Sequence, residues 1–126
     1  MDKKIRIALI GAGETGTPLL AQLVGANFVE IAMVADLDEQ MPGMKLAREK
    51  GIPTTRDFMD IARMGDAVDI VIDVTGVARI RDDLRSHYQS TANRHTIIMH
   101  ELIAVLLMSL SKGSLVTTKH NRVDYD

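Results

Sequence analysis

Three glycines follow a run of aliphatic residues near the start of the chain, and their spacing suits the binding of a phosphate. The run Ile5–Ile10 leads directly into Gly11-Ala12-Gly13-Glu14-Thr15-Gly16. In a G-x-G-x-x-G pattern the first glycine permits a tight turn, the second lets the backbone approach a pyrophosphate, and the third lets a helix pack on the strand. Backbone N–H groups at the start of that helix then point at the anion. The pattern predicts a dinucleotide site, with a compact turn as the alternative.

A carboxylate stands twenty residues beyond the last glycine, at the end of a second aliphatic run. Asp36 follows Val29–Ala35 and precedes Leu37. A carboxylate at this place can accept the hydroxyls of an adenosine ribose and repels the 2′-phosphate of NADP, so we expect the cofactor to be NAD. The alternative is that Asp36 only caps the next helix. Glu14 departs from the pattern, because a carboxylate near a phosphate is unfavourable unless it points to solvent.

Aliphatic and polar stretches alternate in a way typical of an α/β fold with a doubly wound, mostly parallel sheet and helices on both of its faces. Numbered along the chain, the strands are expected in the order 3-2-1-4, with an optional fifth strand beyond. The expected strands are Ile5–Ile10, Val29–Ala35, Val68–Val74, Asn93–Met99 and the optional Ser114–Thr118, with a brief extended piece at Ile52–Thr55. The expected helices are Glu14–Gly25, Met44–Lys50, a helix capped by Asp57 that runs through Arg63, Arg79–Tyr88 and Glu101–Leu110. We expect one domain over residues 1–126, with a polar tail at 119–126.

Open α/β sheets bind ligands beyond the carboxyl ends of their strands, where the strand order reverses. Thr75-Gly76 ends one predicted strand and could offer a hydroxyl and unobstructed backbone to the ribose or nicotinamide side of a cofactor. The alternative is an ordinary turn that ends the strand. His100 ends another strand and is a candidate proton donor, or a polar residue that simply ends the element. The zinc motif H-E-x-x-H is incomplete, because Ala104 replaces its second histidine, so we expect no metal.

Composition narrows the class of protein. Hydrophobic residues make up 46% of the chain and aromatic residues 3%, which predicts an aliphatic core. The absence of cysteine excludes disulfides and thiolate metal sites. A net charge of −2 is not the basic charge that is typical of nucleic-acid-binding proteins. No secretory or membrane-spanning segment is recognised, so we expect a cytoplasmic protein. The segment Leu102–Met108 is apolar on nearly every face, which predicts either a homodimer contact or burial under a fifth strand.

Four segments together resemble Rossmann NAD(P)-binding domains: Ile7–Gly13, Val34–Asp36, Pro42–Ile52 and Asp69–Gly76. The resemblance covers residues 5–110 and is strongest to the N-terminal halves of acylating acetaldehyde dehydrogenases and homoserine dehydrogenase-like oxidoreductases. Similar domains also precede signalling modules in some bacterial sensor proteins. The resemblance implies that the chain binds the cofactor of an oxidoreductase, whose catalytic thiol and substrate domain have no counterpart here. A non-catalytic nucleotide-sensing module is the alternative.

Overall fold

The computed structural model describes residues 3–116, and in them five strands form one parallel sheet. The strands are β1 Ile5–Ile10, β2 Val29–Ala35, β3 Thr54–Thr55, β4 Ile70–Asp73 and β5 Ile97–Met99. The helices are α1 Gly16–Val24, α2 Pro42–Glu49, α3 Met59–Arg63, α4 Ala78–Ser90 and α5 Glu101–Lys112, with a short 3-10 turn at Gly65–Ala67. The sheet order is β3-β2-β1-β4-β5. The predicted α/β fold and the order 3-2-1-4-5 are confirmed.

Two predicted strands, Val68–Val74 and Asn93–Met99, each lie one place later in that order than expected. The stretch at Val68–Val74 was counted as the third strand and placed beyond β2, but its core is β4, which pairs with β1 from Ile7↔Ile70 to Ile10↔Asp73. The third position belongs to β3, which pairs with β2 at Val34 and Ala35. Two residues are too few to show a strand periodicity, which is why the sequence indicated only an extended piece there.

Two hydrophobic cores lie on opposite faces of the sheet, because side chains of a strand alternate between its faces. In β1, Ile7 and Leu9 belong to one core, while Ala8 and Ile10 belong to the other. The first core includes buried residues of α1, α2 and α5, and the second includes those of α3 and α4. This arrangement fixes β1 at the centre and leaves the carboxyl ends of the strands, with their loops, on one edge of the sheet.

An ionic cluster lies at the opposite edge, where β1 and β4 begin. The guanidinium of Arg6 donates to Asp69 Oδ1 at 2.8 Å, and the Arg6 backbone N–H donates to Asp69 Oδ2 at 2.8 Å. His95 Nε2 lies 2.6 Å from Asp69 Oδ1. The hydrogen bonds from Arg6 hold the pKa of Asp69 well below its ordinary range. This cluster ties the amino ends of the two central strands together, and we expect it to stabilise the sheet at neutral pH.

The C-terminal elements differ in length from the predictions. The fifth strand of the sheet starts at Ile97 rather than Asn93, because the Asn93 side chain accepts from the N–H groups of His95 and Thr96 and holds a turn. Helix α5 continues to Lys112 and ends at Gly113, whose φ is +85°. Residues 114–116 are not a strand; the rest of the optional fifth strand and the tail lie outside the described residues. Within residues 3–116 no helix combines the length and apolarity needed to cross a bilayer.

Candidate functional site

A cavity of about 350 Å³ opens at the carboxyl edge of the sheet, where the order reverses between β1 and β4. A cavity of this size and place is typical of a small-molecule site in an open α/β sheet. Its walls come from the glycine loop, the end of β2, the segment after β3, and the segment after β4. Those of the predicted residues that line it are Gly11, Gly13, Glu14, Thr15, Gly16, Asp36, Leu37 and Thr75.

Two of the three motif glycines are required by the fold itself. Gly11 has φ of +104°, a conformation that residues with a Cβ rarely adopt. A Cβ on Gly16 would stand 1.9 Å from the carbonyl oxygen of Gly11, so only glycine lets α1 start against the strand end. Both glycines therefore have the structural roles that the sequence pattern predicted for them.

Gly13 is different, because the fold gives no reason for a glycine there. Its φ is not positive, and the nearest atom to an added Cβ would be the flexible Met41 Sδ at 3.8 Å. Gly13 lines the cavity, and within residues 3–116 an added Cβ would have only Met41 Sδ within 4 Å. The missing side chain thus leaves room for a ligand that comes close to the backbone.

The loop that carries Gly13 presents polar groups to the same space. The N–H groups of Gly13, Glu14 and Thr15 form no hydrogen bond with any residue from 3 to 116. The Thr15 hydroxyl is buried and has no hydrogen-bond partner in the described part of the chain. These groups lie where α1 starts, and the helix dipole adds partial positive charge there. Unbonded N–H groups and a hydroxyl at the start of a helix are groups that suit an anion such as a diphosphate.

Asp36 joins the end of β2 to the glycine loop. Its Oδ2 accepts from the N–H of Ala12 at 2.8 Å, and its Oδ1 accepts from the N–H of Asp38 at 2.9 Å. Each carboxylate oxygen keeps a lone pair, so Asp36 can still accept a hydroxyl from a ribose. This role in the fold was not predicted from the sequence, and it makes Asp36 both a wall of the cavity and a support of the loop.

Ala12 holds the glycine loop in place through its own backbone groups. Its N–H is bonded to Asp36, its carbonyl oxygen accepts from the Thr17 hydroxyl and the Gly43 N–H, and it is fully buried. All of its polar groups are used within the fold. Ala12 is thus a structural residue of the loop, and its predicted contact with the cofactor stays a prediction.

The segment after β4 depends on a buried ion pair. Asp73 is fully buried, and its Oδ2 lies 3.2 Å from Arg81 Nη1 in α4. Asp73 Oδ1 accepts from the backbone N–H and the hydroxyl of Thr75, at 2.9 and 2.6 Å. The Thr75 oxygen also accepts from the N–H of Val77. Because its proton is directed to Asp73, Thr75 Oγ1 can accept a hydrogen bond from a ligand but cannot donate one.

Gly76 and His100 lie outside the lining of the cavity. Gly76 has φ of +74° and forms the turn after β4. His100 is exposed at the N-terminus of α5, where its Nδ1 accepts from the N–H of Leu102 at 2.9 Å. Of the two roles open to His100, a proton donor or a polar residue that ends the element, the geometry favours the second, because β5 lies one strand further from the cavity than the predicted order placed it. His100 is an N-cap.

Charged side chains of both signs line the mouth of the cavity. Glu14, predicted to be tolerable only if it pointed to solvent, is exposed. Arg56 and Arg79 line the cavity as well and are both exposed. Arg56 follows the two-residue β3, which the sequence indicated only as a brief extended piece. Arg79 lies in the first turn of α4.

The chain is similar in sequence to acetaldehyde dehydrogenases. It is 46% identical over 78 residues to the acetaldehyde dehydrogenase of Polaromonas naphthalenivorans, a match that covers 60% of this chain and 26% of that protein. The chain thus spans about a quarter of the length of the curated relatives it matches. No family model matches the chain.

Solved dehydrogenase structures share the fold. Homoserine dehydrogenase from S. aureus superposes with a TM-score of 0.59 at 18% identity, covering 90% of this chain and 31% of that one. GenD2 from gentamicin A biosynthesis, solved in complex with NAD, superposes with a TM-score of 0.56 at 19% identity, covering 78% and 34%. The predicted resemblance to Rossmann NAD-binding domains and to acetaldehyde dehydrogenases is confirmed.

Proposed function

We propose that residues 1–126 form one domain that binds NAD(H) in the cavity at the carboxyl edge of the sheet. In this proposal the loop Gly11–Gly16 holds the diphosphate on its free N–H groups and on the Thr15 hydroxyl. Asp36 and Leu37 contact the adenosine ribose, with Asp36 accepting a hydroxyl. Thr75 accepts a ribose hydroxyl on the other side of the cavity, while Gly76 keeps the turn beside it open.

Gly13 is the observation that carries the proposal. Nothing in the described fold occupies the space that its missing side chain leaves, and a dinucleotide needs that space for its pyrophosphate. The 46% identity to an acetaldehyde dehydrogenase and the fold of the NAD complex of GenD2 support the same ligand class.

The glycines offer a matched pair of variants that separates ligand binding from folding. We expect Gly13→Val to keep the free energy of unfolding within about 0.5 kcal/mol of the native value. The same variant should weaken NAD(H) binding at least tenfold in calorimetric titration. Gly16→Ala should instead destabilise the fold, because its Cβ would overlap the Gly11 carbonyl oxygen. Normal NAD(H) binding by a folded Gly13→Val variant would refute the proposed site.

We propose further that the domain is the cofactor-binding part of an oxidoreductase-like protein and that it acts in the cytoplasm, where its ligand is found. Hydride transfer requires a substrate held against the nicotinamide in close geometry, together with an acid or base. Among the described residues His100 was the candidate for that acid, and it caps α5 away from the cavity. A separate substrate domain would have to supply these groups. Cell fractionation tests the location, which detection in the membrane fraction would contradict.

A homodimer formed through α5 is the third part of the proposal. Leu102, Ile103, Leu106, Leu107 and Leu110 are 40% to 70% exposed, and their spacing places them on one face of the helix. The opposite face packs into the first core through Ala104 and Met108. Single exposed apolar side chains are normal on a protein surface, but these five form one contiguous apolar patch. A two-fold contact with a second copy would cover that patch.

Light scattering tests the dimer. We expect a mass of twice the 13.9 kDa of the chain, and we expect Leu106→Glu to reduce it to the monomer. Gln22→Glu, an exposed change on α1, is the control and should leave the dimer intact. A native chain that is monomeric at all concentrations would contradict the dimer without affecting the cofactor site.

A further inference from the structure

Arg56 is an exposed cation held at the adenosine side of the proposed cofactor cavity. It follows β3 directly, and the backbone N–H of Asp36 donates to the Thr55 carbonyl at 3.1 Å, so the ends of β2 and β3 lie side by side. Arg56 Nε donates to the carbonyl oxygen of Leu37 at 3.1 Å. The guanidinium is thus anchored to the residue that follows Asp36, and both residues line the cavity.

The anchoring leaves most of the guanidinium available to a ligand. Only Nε is used; in residues 3–116 the two terminal nitrogens form no hydrogen bond or ion pair. A planar guanidinium with two free terminal nitrogens can bind a phosphate through two parallel hydrogen bonds. Because the side chain is fixed at one end, less conformational freedom is lost when such a ligand binds.

The neighbouring carboxylate is less repulsive to a phosphate than its position suggests. Both oxygens of Asp36 accept backbone N–H groups, from Ala12 and from Asp38, and these donors offset part of its negative charge. An acid at this place favours a ribose 2′-hydroxyl, whereas a nearby arginine accommodates a 2′-phosphate. This cavity has both residues.

We propose that Arg56 recognises the 2′ position of the adenosine ribose and lets the cavity bind NADP(H) as an alternative to NAD(H). Asp36 accepts the 2′-hydroxyl of NAD(H), and the terminal nitrogens of Arg56 donate to the 2′-phosphate of NADP(H). Arg56 is therefore a specificity-determining residue. It makes the preference for NAD over NADP smaller than Asp36 alone would produce. This inference rests on the proposed function, since it assumes a dinucleotide in the cavity.

Titration of the full chain with NAD⁺ and NADP⁺ tests the inference, with binding as the readout. We expect the native chain to bind both, and we expect Arg56→Ala to weaken NADP⁺ binding about tenfold while NAD⁺ binding changes less than about twofold. Arg56→Lys should keep part of the NADP⁺ affinity, because the charge remains and the fork is lost. Arg79→Ala is the control: it removes the other exposed arginine of the lining and should affect both cofactors alike.

Two results would overturn the role of Arg56. Equal weakening of both cofactors by Arg56→Ala would mean that Arg56 contacts a part they share, and unchanged NADP⁺ binding would mean that it contacts neither. A native chain that binds NAD⁺ but not NADP⁺ would also reject the inference while leaving the proposed function in place. A native chain that binds neither cofactor would reject the proposed function itself.

Discussion

Replacing Arg81 by alanine is expected to destabilise the domain by about 2–3 kcal/mol. The Arg81 side chain is 16% exposed and its partner Asp73 is 0% exposed, so the variant leaves a buried carboxylate without its cation. Removing one partner of a buried ion pair typically costs about 3–5 kcal/mol. We place the value below that range because Asp73 Oδ1 keeps the two donors of Thr75 and because Arg81 retains some contact with water.

Arg85 provides the matched control on the same helix. It pairs with Asp82 at 2.8 Å, a shorter distance than the 3.2 Å of the buried pair, but both side chains are more than half exposed. Exposed pairs contribute about 0–1 kcal/mol. We therefore expect Arg85→Ala to change stability by less than about 0.5 kcal/mol, because burial rather than distance decides the contribution.

Urea unfolding and thermal melts measure both variants. With a sensitivity of about 4 °C per kcal/mol for a domain of this size, Arg81→Ala should lower the Tm by roughly 10 °C. In the double variant Arg81→Met, Asp73→Asn the loss should be smaller than the sum of the single losses, since no buried charge remains. Equal effects of Arg81→Ala and Arg85→Ala would refute the argument from burial.

Three further predictions concern stability and activity. Asp69→Asn should remove the stabilisation that the ionised carboxylate of Asp69 provides. That stabilisation is complete above the pKa of the unfolded state, near 3.8, and is lost as the pH falls toward the lower pKa of the folded state. The difference between the unfolding free energies of the native chain and the variant should therefore shrink from pH 5 to pH 3. Tyr88→Phe should keep or raise stability by up to about 1 kcal/mol, because the buried hydroxyl has no hydrogen-bond partner in the described part of the chain; a loss above 1 kcal/mol would reveal a missing partner. The chain by itself should not reduce NAD⁺ measurably with aldehydes or amino-acid semialdehydes; robust turnover abolished by His100→Ala would restore an enzymatic role for this histidine.

The glycine loop was predictable because its signal is local. The three glycines, the aliphatic run before them and the acid after the second run fall within 36 residues, and each has a position fixed by neighbours in sequence. Periodicity placed β1 and β2 correctly for the same reason. The distinction between Gly13 and Gly16 was not visible, because it depends on which atoms stand opposite each Cβ in three dimensions.

The charged residues of the site were harder to predict. Arg81 lies between Arg79 and Asp82 in a run that resembles a solvated helix face, and only the packing of α4 against the sheet shows that it meets Asp73. Arg56 reaches the cavity through the pairing of β2 with β3, a contact between strands that composition does not encode. Side chains that act through such distant contacts carry no spacing that a sequence alone would reveal.

The predicted strand order explains why His100 was a candidate for the site. Counting the strands without β3 assigned the switch point beside β1 to the strand that ends at Met99, which brought His100 to the expected cavity. The structure gives that position to β4, whose end carries Asp73 and Thr75. Strand order decides which loop borders β1 at the switch point, so whether β3 is counted as a strand decides whether His100 or Thr75 is expected at the cavity.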